Sequence, residues 1–413
     1  MIRPWAMVIG AGVGAVAGLA AYEWAPAAEL HAVVTYATDP IGRIFLRLLF
    51  MLAIPIVFSA LILGVAGLDL GGLGRIGLKT LAYTILISAC AVGIGLGLVN
   101  LVEPGGGDNT EVRQMAHDLA EARARAGHEL PEAPPTSGVD MVVNMVPDNP
   151  VAAAASGDML GVIIFGVILG LGFLLVKTPA SERFLEMIQG LYDVSMALIG
   201  AILRFAPLGV GALLFTAMAT LGWSVLAAIA LYAAVVIGGL ALHGVVVYSL
   251  ALALVARRSP RRFLAGAWPA LATAFATSSS SATLPTTLRV AEENLGLSRG
   301  VSRFVLTAGA SMNQNGTALF EGVTVLFLAQ LFGVDLSVAQ QALVMIICIL
   351  GGVGTAGVPS GSLPAIAMIL AMFDIPPEGL ALILGVDRIL DMCRTVLNVG
   401  GDLVIAAMVD RKE

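Results

Sequence analysis

Long apolar runs dominate the chain, and the places where they break carry the information. Unbroken runs predict helices near residues 5–22, 41–68, 76–102, 158–177, 182–216 and 222–256. Each is long enough, at about 18 residues or more, to cross a hydrocarbon core of about 30 Å. Downstream the pattern changes. The run over 262–292 is broken midway by TSSSSATLP, the stretch over 297–331 by SMNQNGT and the run over 337–374 by GGVGTAGVPSGS, before a last segment over 377–409. Backbone that leaves helical geometry at membrane depth must be buried in protein or line an aqueous cavity, because lipid offers no hydrogen-bond partner. The broken runs over 262–292 and 337–374 therefore predict re-entrant hairpins. Paired interrupted segments of this kind point to a transport site at a repeat interface.

Composition agrees with this pattern. Hydrophobic residues make up 58% of the 413 residues and charged residues 12%, with a mean hydropathy of +0.94, whereas soluble domains carry about 25% charged residues. The expectation is one all-α integral membrane unit over 1–413, multi-pass in the cell inner membrane and in contact with lipid. Its first apolar run, WAMVIGAGVGAVAGLAAY, is long for a signal peptide and has no clear cleavage site, so it reads as a retained helix. A net charge of -6 is spread among the loops and leaves no nucleic-acid footprint. Cys90, Cys348 and Cys393 lie inside apolar segments, which favours packing over a disulfide or zinc site. No cofactor is expected.

Basic residues set the orientation. Arg75, Lys79, Lys177, Arg183, the cluster ARRSPRRF at 256–263, Arg299, Arg303, Arg411 and Lys412 fall on one side if the helices alternate and the hairpins return. That side is expected to be cytoplasmic, with both termini. The hydrophilic connection over 103–157 then faces outward and reads as a mobile loop with a short surface helix.

The segment DRILDMCRTVLNVGGD places Asp387, Asp391, Arg394, Asn398 and Asp402 at offsets 0, 4, 7, 11 and 15, one face of a helix, with Thr395 beside them. Ionisable groups at the centre of a membrane helix cost roughly 2.5–3.5 kcal/mol each on insertion scales, so they face a bundle interior or a cavity. An internal salt-bridge network is the structural alternative, but Asn398 and Thr395 add ligand-type groups. The serines at 278–281 supply hydroxyls and, at a turn, free backbone amides suited to a carboxylate. A nucleophilic serine would need an adjacent base, and none of His31, His117, His128 and His243 stands in a motif with them. At the SMNQNGT break, Asn313, Asn315, Thr317 and the carbonyls freed by Gly316 suit a hard monovalent cation.

Together, RLLFMLAIPIVFSALILGV, TSSSSATLPTT, GTALFEG, GTAGVPSG and DRILDMCRTVLNVGGD resemble the dicarboxylate/amino acid:cation symporters, the family that includes the glutamate transporters. The resemblance covers nearly the whole chain. It implies eight transmembrane helices plus two re-entrant hairpins with inverted repeats, in a homotrimer that works as an elevator. The scaffold would comprise approximately 1–70 and 158–216 and the transport part approximately 76–102 and 222–413. The resemblance further implies that Arg394 holds the side-chain carboxylate of an acidic amino acid, a task that suits a bidentate guanidinium, and that Asp391 holds its ammonium group. Ser278, Ser279, Ser280, Thr317, Thr395 and Asn398 complete the implied pocket, which Val358 and Ser362 close from the second hairpin. Relatives for C4-dicarboxylates tend to lack the acidic residue at 391 and neutral amino-acid carriers the arginine at 394, so their joint presence implies glutamate or aspartate.

For cations the resemblance implies one site from Gly309, Asn313, Asn398 and Asp402, and a second of backbone carbonyls near Ser311, Gly352, Val353 and Thr355. A third site is degraded. Sodium-coupled members usually show NMDGT where this chain has NQNGT, so Gln314 and Asn315 replace a methionine and an aspartate. Thr84 and Ile87 stand where a tyrosine and a threonine are expected, while Ser88 is retained. An arginine expected at the first-hairpin tip or just after Asp391 is absent, those positions holding Ser278 and Met392. Arg388 either takes a related role, reaching toward Asp387 or the hairpin tip, or forms a structural ion pair. The resulting expectation is a transporter, not an enzyme: a symporter of L-glutamate or L-aspartate coupled to fewer sodium ions than usual. Proton-coupled or sodium-independent transport of acidic amino acids or dicarboxylates is the alternative, and a membrane serine hydrolase the reading from a different class.

Overall fold

A computed structural model describes residues 4–66, 74–106, 146–156, 159–354, 362–376 and 379–410. Among the described residues all regular elements are helical, and five helices are long and apolar enough to cross a membrane, with shorter apolar helices between them. The principal elements are α1 (Pro4–Trp24), α2 (Asp39–Met51), α3 (Ala53–Ala66), α4 (Gly74–Val102), α5 (Met159–Leu175), α6 (Pro179–Ile202), α7 (Ala206–Leu221) and α8 (Trp223–Leu242). They are followed by α9 (Pro260–Thr277), α10 (Ser280–Arg289), α11 (Arg299–Met312), α12 (Asn315–Phe332), α13 (Val338–Gly354), α14 (Leu363–Met372) and α15 (Leu380–Val409).

Two expected spans are split. The run over 41–68 divides into α2 and α3 at Leu52, because Pro55 has no amide hydrogen for the carbonyl of Met51. The run over 182–216 divides into α6 and α7 through the 3₁₀ turn Leu203–Phe205, where Pro207 begins the next helix. Gly222, at φ +64°, then caps α7, which ends at Leu221, five residues beyond the expected terminus. Past α8 the chain stays coiled through π turns at His243–Val247 and Ala251–Val255. Of the second hairpin, α13 and α14 are described and the segment between them, which carries Thr355 and Val358, lies outside the described residues. Most of the hydrophilic connection over 103–157 also lies outside them.

Two contacts organise the packing. In the first, α1 lies along α7. A Cβ added at Gly10 or Gly14 would run into the backbone of Pro207 or Gly211, and one at Gly18 would meet the Phe215 carbonyl at 2.6 Å. Glycines four residues apart thus let two helices touch backbone to backbone, as in membrane helix pairs generally. In the second, α12 is the central helix, buried at every position from Asn315 to Ala329. Its apolar residues are spread around the axis rather than along one stripe, which favours burial over an amphipathic surface position. Around it stand α4, α8, α13 and α15, and α15 also packs on α9 and α11.

Candidate functional site

The first hairpin turns within two residues. Ser278 ends α9 in the left-handed region at φ +49°, Ser279 is extended, and α10 starts at Ser280. Ser279 Oγ accepts the Ala282 amide at 3.2 Å, a side-chain cap of the new helix. Thr283 Oγ1 donates to the Ser279 carbonyl at 2.7 Å and pairs with Thr277 Oγ1 at 2.9 Å, tying the two legs together. Ser278 Oγ is buried and has no hydrogen-bond partner among the described residues, and the same holds for Ser362 Oγ at the start of α14.

On α15 the charged groups neutralise one another. Arg394, 1% exposed, donates from Nε to Asp391 Oδ1 at 2.8 Å and lies 3.1 Å through Nη2 from Asp387 Oδ1. Its guanidinium carbon sits 4.1 Å from the centroid of the Phe320 ring on α12, a cation–π contact in a desolvated setting. Arg394 Nη1 is buried without a hydrogen-bond partner among the described residues. Arg388 Nη1 reaches Asp391 Oδ2 at 3.7 Å, so Asp391 faces two guanidinium groups. Among the described residues the ion-pair contact of Arg388 is with Asp391, not with Asp387 or the first-hairpin tip. Two arginines against two aspartates leave this cluster without net charge, which lowers the cost of placing it inside a membrane helix.

The break between α11 and α12 is held by Asn398. Its Oδ1 accepts the Gly316 amide at 2.8 Å and the Thr317 amide at 3.4 Å, satisfying first-turn donors of α12. Its Nδ2 donates to Gln314 Oε1 at 2.6 Å and to Thr317 Oγ1 at 3.0 Å. The Asn398 side chain is thus committed to α12, and only its backbone carbonyl, which accepts from Asn313 Nδ2 at 3.3 Å, faces the predicted first cation site. Thr395 likewise turns inward, its hydroxyl donating to the Asp391 carbonyl at 2.8 Å.

Three members of that cation site meet. Asn313 Nδ2 donates to Asp402 Oδ1 at 2.8 Å, the Asp402 carboxylate presses against the α-carbon of Gly309, and Asn313 Oδ1 is buried without a hydrogen bond among the described residues. A carboxylate, a free amide oxygen and carbonyls from a helix end form an oxygen set of the kind that hard cations take. Of the proposed second cation site, Gly352 lies against Gln314 at the end of α13, whereas Thr355 is outside the described residues.

Where the resemblance would place a third cation site, an unbroken neutral chain runs through the Asn315 amide. Ser88 Oγ donates to Asn315 Oδ1 at 2.7 Å, Asn315 Nδ2 donates to Tyr248 Oη at 3.0 Å, and Tyr248 Oη donates to the Leu397 carbonyl at 2.8 Å. Thr84 and Ile87 are buried on the same helix as Ser88.

A family model described as "Sodium:dicarboxylate symporter family" matches residues 4–412. The chain belongs to this family. Among its relatives is the proton/glutamate-aspartate symporter of Escherichia coli K12, 32% identical over 385 residues that cover 92% of this chain and 86% of the relative. The proton/sodium-glutamate symport protein of Bacillus subtilis 168 is 32% identical, covering 92% of this chain and 87% of the relative. Human neutral amino acid transporter A is also 32% identical, over 91% of this chain and 76% of its own length. Membership in a family of symporters, with several apolar membrane-length helices, makes this an integral membrane transport protein.

In this sodium:dicarboxylate symporter family member, four neighbours of the site escape sequence reasoning. Phe320 and Tyr248 look like ordinary apolar-segment aromatics, and nothing in their spacing marks them. Gln314 stands out in the sequence only as a departure from the family pattern, yet it accepts from Asn398 and also from Thr317 Oγ1 at 3.3 Å. Glu321 is a carboxylate in the middle of α12, 0% exposed, with neither oxygen hydrogen-bonded among the described residues. An isolated acidic residue in an apolar run is itself a signal, and GTALFEG contained it.

Proposed function

We propose that the protein is a secondary active transporter of L-glutamate or L-aspartate, coupled to cations. The observation that carries this reading is Arg394: fully buried on a membrane helix, backed by Phe320, neutralised by Asp387 and Asp391, and with Nη1 unsatisfied. A buried guanidinium with a free donor suits a carboxylate partner, and Ser278 Oγ and Ser362 Oγ at the two hairpins add further unsatisfied donors. The bacterial relatives are named as glutamate-aspartate and glutamate symporters, which supports the same substrate class. In this reading Asp391 receives the ammonium group and gives up part of its pairing with Arg388.

The coupling ion is sodium at the Asp402, Asn313 and Gly309 oxygens, with no third sodium site. Support for that absence comes from the hydrogen-bonded chain through Asn315, in which the amide already supplies the positive end that a cation would bring. One observation favours proton coupling as a second reading: burying Glu321 without a partner costs far less for an acid that carries its proton than for an anion. The arrangement of eight helices and two hairpins, the homotrimer, the elevator movement and the cytoplasmic termini belong to the same proposal.

Binding of L-aspartate and L-glutamate to the purified protein, measured in sodium, in choline and across pH, tests the substrate and the coupling ion. Arg394→Ala is expected to abolish binding, and undiminished binding in that variant would remove the pocket assignment. A sodium dependence as steep as a third power would overturn the loss of the third site.

A further inference from the structure

The helix that carries the site has a second, unrelated face. Opposite Asp391, Arg394, Asn398 and Asp402, α15 presents Cys393, Leu397 and Gly400 to an apolar groove of about 400 Å³ that it shares with α8 and α9. The α9 wall runs from Phe263 to Phe275, roughly 18 Å at 1.5 Å per residue. Its length and its nearly unbroken apolar lining suit a hydrocarbon chain better than a compact polar solute. Gly400 deepens the slot, and Tyr248 floors it with the ring whose hydroxyl closes the Asn315 chain.

One end of the groove is charged. Arg261 and Arg262 stand directly before Phe263 and Arg257 in the turn ahead of α9, all exposed and without an ion pair among the described residues. Their neighbour Arg258 is engaged, donating to the Leu295 carbonyl at 2.6 Å and lying 3.7 Å from Asp410. Exposed arginines that lead in sequence into the Phe263 end of an apolar slot, at the end of a membrane span, match an amphiphile with an anionic head. We infer that the groove holds one acyl chain of an anionic phospholipid of the surrounding bilayer, with its phosphate bound by Arg257, Arg261 and Arg262. Occupancy bears on the Tyr248 ring and through its hydroxyl on Leu397 and Asn315, so this lipid supports the back of the site.

The test reconstitutes the full chain in nanodiscs of equal parts phosphatidylglycerol and phosphatidylcholine and counts lipids retained after detergent extraction by native mass spectrometry. The wild type is expected to keep phosphatidylglycerol over phosphatidylcholine by about tenfold or more, given three arginines at the headgroup. The triple variant Arg257→Gln, Arg261→Gln, Arg262→Gln is expected to lose that preference. Ala241→Trp fills the slot from α8 and Leu264→Trp from α9, and each is expected to remove the retained lipid, so a folding failure of one leaves the other decisive. Equal retention of both lipids by the wild type, or phosphatidylglycerol retention unchanged in the triple variant and in the folded tryptophan variant, would overturn the inference. Lipid retention is read without substrate, so the outcome stands apart from the transport assignment.

Discussion

The α1/α7 junction and the α12/α15 junction are both made by glycine, and they do different things. At Gly14 the missing Cβ lets α1 rest on the backbone of Gly211, and nothing polar is exchanged. At Gly316 an added Cβ would lie 2.5 Å from the Arg394 carbonyl oxygen, and the same closeness brings the Gly316 amide onto Asn398 Oδ1 at 2.8 Å. One contact is packing alone. The other converts proximity into a hydrogen bond because α12 begins there and its first amides have no helical acceptor. Close approach of membrane helices therefore becomes a site only where a helix end and a polar side chain arrive together.

Arg394→Ala breaks the second region most severely. Truncating it removes the guanidinium that faces both Asp387 and Asp391, and breaking a buried ion pair costs about 3–5 kcal/mol in stability; thermal unfolding in detergent is expected to show that loss alongside the loss of binding. Asn398→Ala comes next: it strips the acceptor from the Gly316 and Thr317 amides and the donor from Gln314, and each unsatisfied buried group costs about 1–3 kcal/mol. Here too the unfolding midpoint is expected to fall, with a weakened substrate affinity read by calorimetry.

The glycines sharpen the comparison directly. Gly14→Ala and Gly316→Ala each force overpacking worth about 1–3 kcal/mol, so their unfolding midpoints are expected to drop together. Only Gly316→Ala is expected to change the dissociation constant; an equal effect of Gly14→Ala would erase the distinction between the regions. Ser88→Ala is the mildest, removing one hydrogen bond to Asn315 worth about 0.5–1.5 kcal/mol, and is expected to leave the sodium response of binding unaltered. A sodium response abolished by that change would mean that Ser88 is a cation ligand after all.

Legibility followed chemistry. The breaks at the serine tract and at SMNQNGT stand out in the sequence because hydroxyls and amides interrupt apolar runs, and in the structure they are the turn at Ser278–Ser279 and the gap at Asn313–Gln314. The breaks at Leu52 and at Leu203–Phe205 were missed because a single proline in an apolar context leaves hydropathy untouched. The face from Asp387 to Asp402 was readable from helical spacing, and that spacing placed Arg394 beside Asp391 and Asp387. It could not say that Asn398 turns its amide to α12, or that Phe320 lies under the guanidinium.

Taken alone, the order of residues determined the membrane class, the positions where helices give way and the polar face of α15, since each depends on neighbours along one segment. Tertiary structure decided what each polar group pairs with. Asn313 and Asp402 are 89 residues apart, and Ser88 and Asn315 are 227 apart. Periodicity fixes which way a side chain points from its own helix axis. What stands opposite depends on where glycines allow the helices to approach, and only the packed molecule sets that.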